Sequence, residues 1–287
     1  MRAPRLLHLA WALTRDSVIE FFNDNALSRG AALAYYTAFA LAPVLLIAIS
    51  VAGLAFGREA AQGAVVQELS GVMGEESAQA LQTLLTGAFF HRGSGWLATA
   101  FGVVTLLITA TGVFVELQSS LNAIWKAEPA AFTTSEIVRA RLLSLGILAA
   151  LAFMLIVSLL FSTALHAAGA YFTVVSAHLQ TVLIAGNVVV SFVLLTLLFA
   201  AIYKVLPDRI IAWRDVGVGA FVTAALFSIG KFAISFYIGS SAIASSYGPA
   251  GSLIVLLVWI YYSTQIFFLG AEFTKVYAQS RGRMPGR

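Results

Sequence analysis

The few side chains in this chain that could do chemistry are ionisable groups set in apolar runs. Lys231 is the sharpest of them. It stands in FVTAALFSIGKFAISFYIGS, about seven residues from the end of a stretch long enough to cross a bilayer. At ~1.5 Å per residue its amine would lie about 10 Å deep. Charged groups at such depth are costly and mark ion or substrate sites. Ala224, Ser228 and Ser235 share its helical face, a small and weakly polar stripe, so Lys231 is expected to point into a bundle and hold an anionic group there. The competing reading lets its four-carbon stem snorkel to the outer interface. Asn187, near the same end of the preceding stretch, is a candidate neighbour, and Tyr247 in SSYGPAG a candidate interfacial anchor. These three residues form the candidate substrate-binding set.

A second set reads as gating residues. Glu116 and Glu272 sit near the opposite ends of their stretches, on the side that carries Arg141, Arg214 and Lys275. Glu272 and Lys275 are three residues apart and can pair along one helix face. Proton coupling is the alternative role for the two carboxylates, although both are expected to reach the wet interface. Pro43, in AFALAPVLL, removes the hydrogen bond to the carbonyl of Phe39 and is expected to bend its helix there. Broken helices line transport sites in many carriers.

Catalytic constellations are missing from the sequence. His8, His91, His166 and His178 stand alone, without metal-ligand spacing. Neither a phosphate-binding glycine loop nor a G-x-S-x-G elbow occurs. With no cysteine, disulfides and thiolate metal sites are excluded. The expectation is a protein that is not an enzyme and has neither metal nor cofactor.

The elements that must position these residues follow from composition. Of the 287 residues 60% are apolar and 10% charged, against roughly 45–50% and about 25% in soluble domains. With a mean hydropathy of +0.91, no soluble sphere could hide so much apolar surface. A bilayer core ~30 Å thick needs roughly 20 apolar helical residues. Six stretches qualify, about 33–56, 96–117, 142–165, 181–203, 216–238 and 251–272. Their continuous apolar character excludes the alternation of membrane β-strands.

Orientation follows from Lys and Arg. Arg2, Arg5, Arg15 and Arg29 precede the first span; Lys126, Arg139 and Arg141 lie between the second and third. Lys204, Arg209 and Arg214 lie between the fourth and fifth, and Lys275, Arg281, Arg283 and Arg287 follow the sixth. The opposite loops carry only Arg58 and Arg92. Both termini are therefore expected in the cytoplasm. The same scatter of basic residues over membrane-proximal loops forms no groove for nucleic acid, in spite of a pI near 9.5.

Outside the spans, residues 1–28 are expected to hold an interfacial helix, with Leu6, Leu9, Leu13 and the Val18/Ile19/Phe22 group on one side and Trp11 at headgroup level. The first outer loop reads as two short amphipathic helices on the outer membrane face, interrupted at Gly71 and Gly74. Glu75 and Glu76 begin the second, where a helix N-terminus favours negative charge. Residues 29–279 would form the membrane domain and 280–287 a basic cytoplasmic tail.

Four segments carry a resemblance to a known family: RGAALAYYTAFALAPVLL (29–46), TGVFVELQSSLNAIW (111–125), LPDRIIAWRDVGVGAFVTAALFSIGKF (206–232) and SSYGPAGSLIVLLVWIYYSTQIFFLGAEFTKVYA (245–278). In this order, and over about residues 25–279, they resemble the YihY/BrkB (virulence factor BrkB) family of bacterial inner-membrane proteins. The resemblance implies a six-helix protein of the cytoplasmic membrane. It also implies that Tyr35, Tyr36, Pro43, Glu116, Asn122, Trp125, Lys231, Tyr247, Gly248, Glu272 and Lys275 occupy the family's characteristic positions. The ribonuclease BN label once attached to the family is regarded as mistaken, and this sequence lacks the clustered metal ligands that such an activity needs.

The expected fold is thus all-α, a polytopic membrane protein of six spans with interfacial helices. The expected function is transport or translocation of an anionic or amphiphilic, lipid-like envelope molecule. Its partners would be membrane lipids, an envelope lipid or anionic solute, and further copies of itself, with no nucleic acid. The alternative is a non-catalytic envelope scaffold, which would present a small-residue seam through Ala220, Ala224 and Ser228.

Overall fold

The computed structural model describes residues 3–90, 111–127, 177–241, 246–247 and 250–282. The regular structure of the described residues is entirely helical, with no strand among them. The helices are α1 (Ala3–Asn23), α2 (Ala26–Phe56), α3 (Arg58–Met73), α4 (Glu75–Phe90), α5 (111–124), α6 (Ala177–Val205), α7 (Trp213–Ser240) and α8 (Gly251–Ser280). Three of them hold a stretch long and apolar enough to cross a membrane: Val188–Val205 in α6, and Trp213–Ser240 and Gly251–Ser280, which are α7 and α8. The first expected span lies wholly inside α2, a continuous helix of 31 residues that passes through position 43. The expected span 142–165, the part of the second before residue 111, Gly248, and the end of the basic tail lie outside the described residues.

Two breaks differ from expectation. The expected interfacial segment does not run to residue 28: α1 ends at Asn23, and α2 begins at Ala26 after Asn25, which takes a left-handed φ of 54°. Asparagine tolerates that conformation where most side chains do not. In the α3–α4 hairpin, Gly71 stays inside α3, and only Gly74, with φ of 84°, turns the chain. Gly57, with φ of 83°, makes the same kind of turn between α2 and α3. The hairpin also does more than cover the end of the bundle. Met73, Ala78 and Leu81 are buried in one cluster with Ala38, Leu45 and Ile49 of α2 and Leu256 and Ile260 of α8.

α8 is the hub, packing on α1, α2, α4 and α7. Its tightest seam is with α7 and rests on a repeated pattern. GAFVT (219–223) in α7 and GAEFT (270–274) in α8 face each other in opposite directions, each threonine over the other helix's glycine. A Cβ at Gly219 would stand 2.6 Å from the Cβ of Thr274, and one at Gly270 would stand 2.8 Å from the Cβ of Thr223. Each threonine hydroxyl donates back within its own helix, Thr223 to Gly219 O at 2.7 Å and Thr274 to Gly270 O at 2.6 Å. Small residues thus let two backbones close together with no unpaired hydroxyl between them. Beside this seam Phe199 and Tyr203 of α6 pack with Phe227 of α7 and Phe267 of α8. The buried Tyr203 hydroxyl donates to Phe267 O at 2.7 Å.

Ala220 and Ala224 are both fully buried in this core. The seam expected to receive a scaffold partner is therefore occupied from within.

Gly219→Val or Gly270→Val forces β-branched atoms into the opposing threonine. Each should lower stability by about 1–3 kcal/mol, the usual range for overpacking, or prevent assembly. Thr223→Ser should cost much less. Thermal unfolding of the detergent-purified variants measures the difference.

Candidate functional site

The end of the bundle that carries α1 and the last turns of α8 holds a cluster of buried charge. α1 turns Leu13, Ser17, Phe21 and Asp24 inward, at helical spacing, and α8 packs against it. The Nζ of Lys275, whose side chain is 2% exposed, lies 3.0 Å from Glu20 Oε2, 3.1 Å from Asp24 Oδ2 and 2.6 Å from Glu272 Oε2. Lys126, in the turn that follows α5 and half-exposed, donates to Asp24 Oδ1. Arg29, in the first turn of α2, donates through Nε to the backbone carbonyl of Asp24 at 3.1 Å. Four separate parts of the chain therefore meet at one aspartate.

The electrostatics of the cluster follow from these contacts. Burial pushes the Asp24 carboxyl up, but the hydrogen bond from Lys126 and the ammonium of Lys275 outweigh it and hold Asp24 below its ordinary 3.8. Glu272 is fully buried, which corrects the expectation that it reaches the wet interface, and neither of its oxygens accepts a hydrogen bond. Its pairing with Lys275 along the α8 surface is present as expected. Oxygens of Glu20, Asp24 and Glu272 lie within 4.8 Å of one another, a spacing at which carboxylates share a cation. Here the ammonium of Lys275 stands in that role.

A second polar lock lies nearby. Asn122 of α5 donates to Asp208 Oδ2 at 2.7 Å, and its own side-chain oxygen accepts from Asp208 N at 2.8 Å. Gln118 reaches the same carboxylate at 3.2 Å, and Arg209 donates to Trp125 O at 2.7 Å. Together Asn122, Trp125 and the LPDR segment fasten α5 to the loop between α6 and α7.

The gating residues come together only in part. Glu116 is half-buried and accepts from Ser120 at 3.3 Å, on α5. Glu272 instead joins acids of α1 that the sequence reading did not single out. Position 43 lies in an uninterrupted α2. At the other end of the bundle Lys231 donates to Gly71 O in the last turn of α3 at 2.9 Å, with its ammonium 5.2 Å from the centre of the Phe232 ring. Its amine thus completes a helix C-terminus, where carbonyls lack partners and a cation is favoured. Tyr247 is exposed and not among the contacts of Lys231, and the Asn187 side chain lies outside the described residues. Gln265, also not singled out, buries an amide halfway along α8 with neither polar atom hydrogen-bonded.

α1 turns Glu20 inward beside Leu13 and Phe21 and leaves Arg15 and Asp16 exposed, while Trp11, Ile19 and Phe22 are exposed by 68%, 48% and 59%. Leu13 is therefore not on the side of the Val18/Ile19/Phe22 group, as the sequence suggested. α7 likewise turns Ile229, Phe232 and Phe236 outward. Among the described residues, helices of membrane-crossing length that turn large apolar side chains outward and bury ionisable groups within the bundle are those of an integral membrane protein. Residues 18–286 match the family described as virulence factor BrkB, and the chain belongs to that family. It is 27% identical to a UPF0761 membrane protein of Rhodospirillum centenum over 95% of this chain and 59% of that protein. It is 34% identical to the UPF0761 membrane protein YihY of Escherichia coli over 64% of this chain and 60% of that protein. The chain thus spans less than two thirds of the length of these curated relatives. No solved structure matches it.

Lys275→Met strands the carboxylates of the cluster and should cost about 3–5 kcal/mol, as breaking buried ion pairs does. Chemical denaturation in detergent reads that loss. The stabilisation from Asp24 is full above 3.8, the ordinary value of its carboxyl, and drains as pH falls through its lower folded value. The gap between wild type and Asp24→Asn should accordingly close in acid, as melting temperatures over a pH series would show.

Proposed function

We propose that this chain is a non-enzymatic, six-span protein of the bacterial cytoplasmic membrane, both termini cytoplasmic, that moves an anionic or amphiphilic envelope molecule across the bilayer. The observation that supports this reading best is the buried charge between α1 and α8, where Glu272 is 0% and the Lys275 side chain 2% exposed. Ionisable groups inside a membrane bundle are expensive and mark pathways, and an inert bundle would be served as well by apolar residues there. The cluster adds charge to the apolar contacts of Phe21 where the peripheral helix meets the central one, which suits a contact that must open and close. Glu116 and Glu272 would flank this cytoplasmic gate, and Pro43 would give α2 its bend.

At the opposite end Lys231 supplies a cation for the anionic group. One of its three N–H donors goes to Gly71 O, which leaves two for a ligand. A scaffold role has less support, because the alanines it would offer to a partner helix are consumed in the core.

Reconstitution into liposomes carrying a fluorescent phosphatidylglycerol, followed by dithionite, tests the reading. Bleaching should pass beyond the outer-leaflet pool, and Lys231→Met should slow it several-fold while Lys231→Arg retains it. Bleaching that stops at the outer leaflet, with folded protein in the membrane, would overturn the proposal.

A further inference from the structure

We infer that the α1–α8 cluster is a proton-binding site: one exchangeable proton is held between the carboxyls of Glu272 and Asp24, and its presence decides whether α1 stays docked on α8. The inference goes beyond the transport reading and does not need it, since protonation can be observed in a protein that moves nothing.

Geometry carries it. Glu272 is fully buried, and neither oxygen accepts a hydrogen bond. Its one favourable contact is the Lys275 ammonium at 2.6 Å, which also serves Glu20 at 3.0 Å and Asp24 at 3.1 Å. The oxygens of the three acids lie within 4.8 Å of one another. Carboxylates crowded in this way do not all ionise, because each added charge meets both repulsion and lost hydration.

The charged groups facing Glu272 can be named element by element among the described residues. α1 presents Glu20 and Asp24, and α8 itself presents Lys275. Lys126, in the turn that follows α5, is spent on Asp24 Oδ1. Arg209, in the loop before α7, is turned to the carbonyls of Trp125 and Lys126. Arg29 of α2 is turned to the carbonyl of Asp24. On α7 Asp215 is buried one turn before Gly219, which faces Thr274. No donor among these reaches Glu272 Oε1. A metal ion would have to displace the ammonium that already stands among the three acids, whereas a proton needs no such room. The route to water is short, because the Lys126 side chain is 50% and the Glu20 side chain 17% exposed.

The proton links α1 to α8 by a carboxyl–carboxylate hydrogen bond. Its loss puts two like charges across the same contact, and α1 loosens. Asp24 stays ionised and accepts, and Glu272 carries the proton.

Two measurements on the full chain in proteoliposomes test this. In infrared spectra a protonated-carboxyl band should be present, should titrate away as pH is raised, and should be missing in the isosteric Glu272→Gln. Absence of the band, or its persistence in Glu272→Gln, overturns the site. The native chain has no cysteine, so Ser17→Cys, buried on the docked face of α1, reports opening. Its maleimide labelling, normalised to the exposed Asn23→Cys, should rise about tenfold per pH unit below the midpoint, as linkage to one proton requires. In the Glu272→Gln background it should be flat. Normalised labelling that ignores pH, or the same rise in Glu272→Gln, overturns the coupling to α1. Neither result depends on lipid movement, so failure here and failure of the transport reading are separable.

Discussion

One ammonium group organises this end of the molecule. Lys275 is almost wholly removed from solvent, yet it serves carboxylates from two helices about 250 positions apart in the chain. In a low-dielectric interior such a charge is tolerable only with counter-charges in place, so α1 leaves only by stripping it of Glu20 and Asp24, with Glu272 of α8 remaining. The outward face of α1 follows. With Glu20 and the adjoining Asp24 turned toward Lys275, Trp11, Ile19 and Phe22 are left outward, and apolar surroundings make that arrangement cheap.

α8 gathers the remaining contacts along its length. Near its start it packs beneath the α3–α4 hairpin through Leu256 and Ile260. In its middle it meets the aromatic group of α6 and α7 and carries the unpaired amide of Gln265. At its end lies the charge cluster. Apolar contacts alone fix one half, and ionic contacts join apolar ones in the other.

Much of the architecture was legible in the sequence. The apolar runs located α6, α7 and α8 to within a few residues of one end or the other, because an unbroken 20-residue hydrophobic stretch has few alternatives. The spacing of Glu272 and Lys275 gave their pairing, a local matter. Glu20 and Asp24 were not legible, since nothing in the first helix reveals that its acids meet a lysine at the far end of the chain. Grouping the apolar residues of the first helix on one side likewise placed Leu13 with Phe22, when docking separates them. Gly71 and Gly74 look alike as letters, and only the need for a positive φ at one of them tells them apart. Lys231 was recognised as out of place in an apolar helix, but its acceptor is a backbone carbonyl, which leaves no trace in residue identity.

The glycine–threonine seam between α7 and α8 has a consequence for how the protein keeps its shape during handling. Both hydroxyls are committed to carbonyls of their own helices, so what holds the two backbones together is dispersion between closely fitted surfaces. Such cohesion owes little to the polarity of the surrounding medium. The pair should travel from lipid into micelle as a single stiff hairpin, a fixed frame against which the motion of every other helix can be referenced.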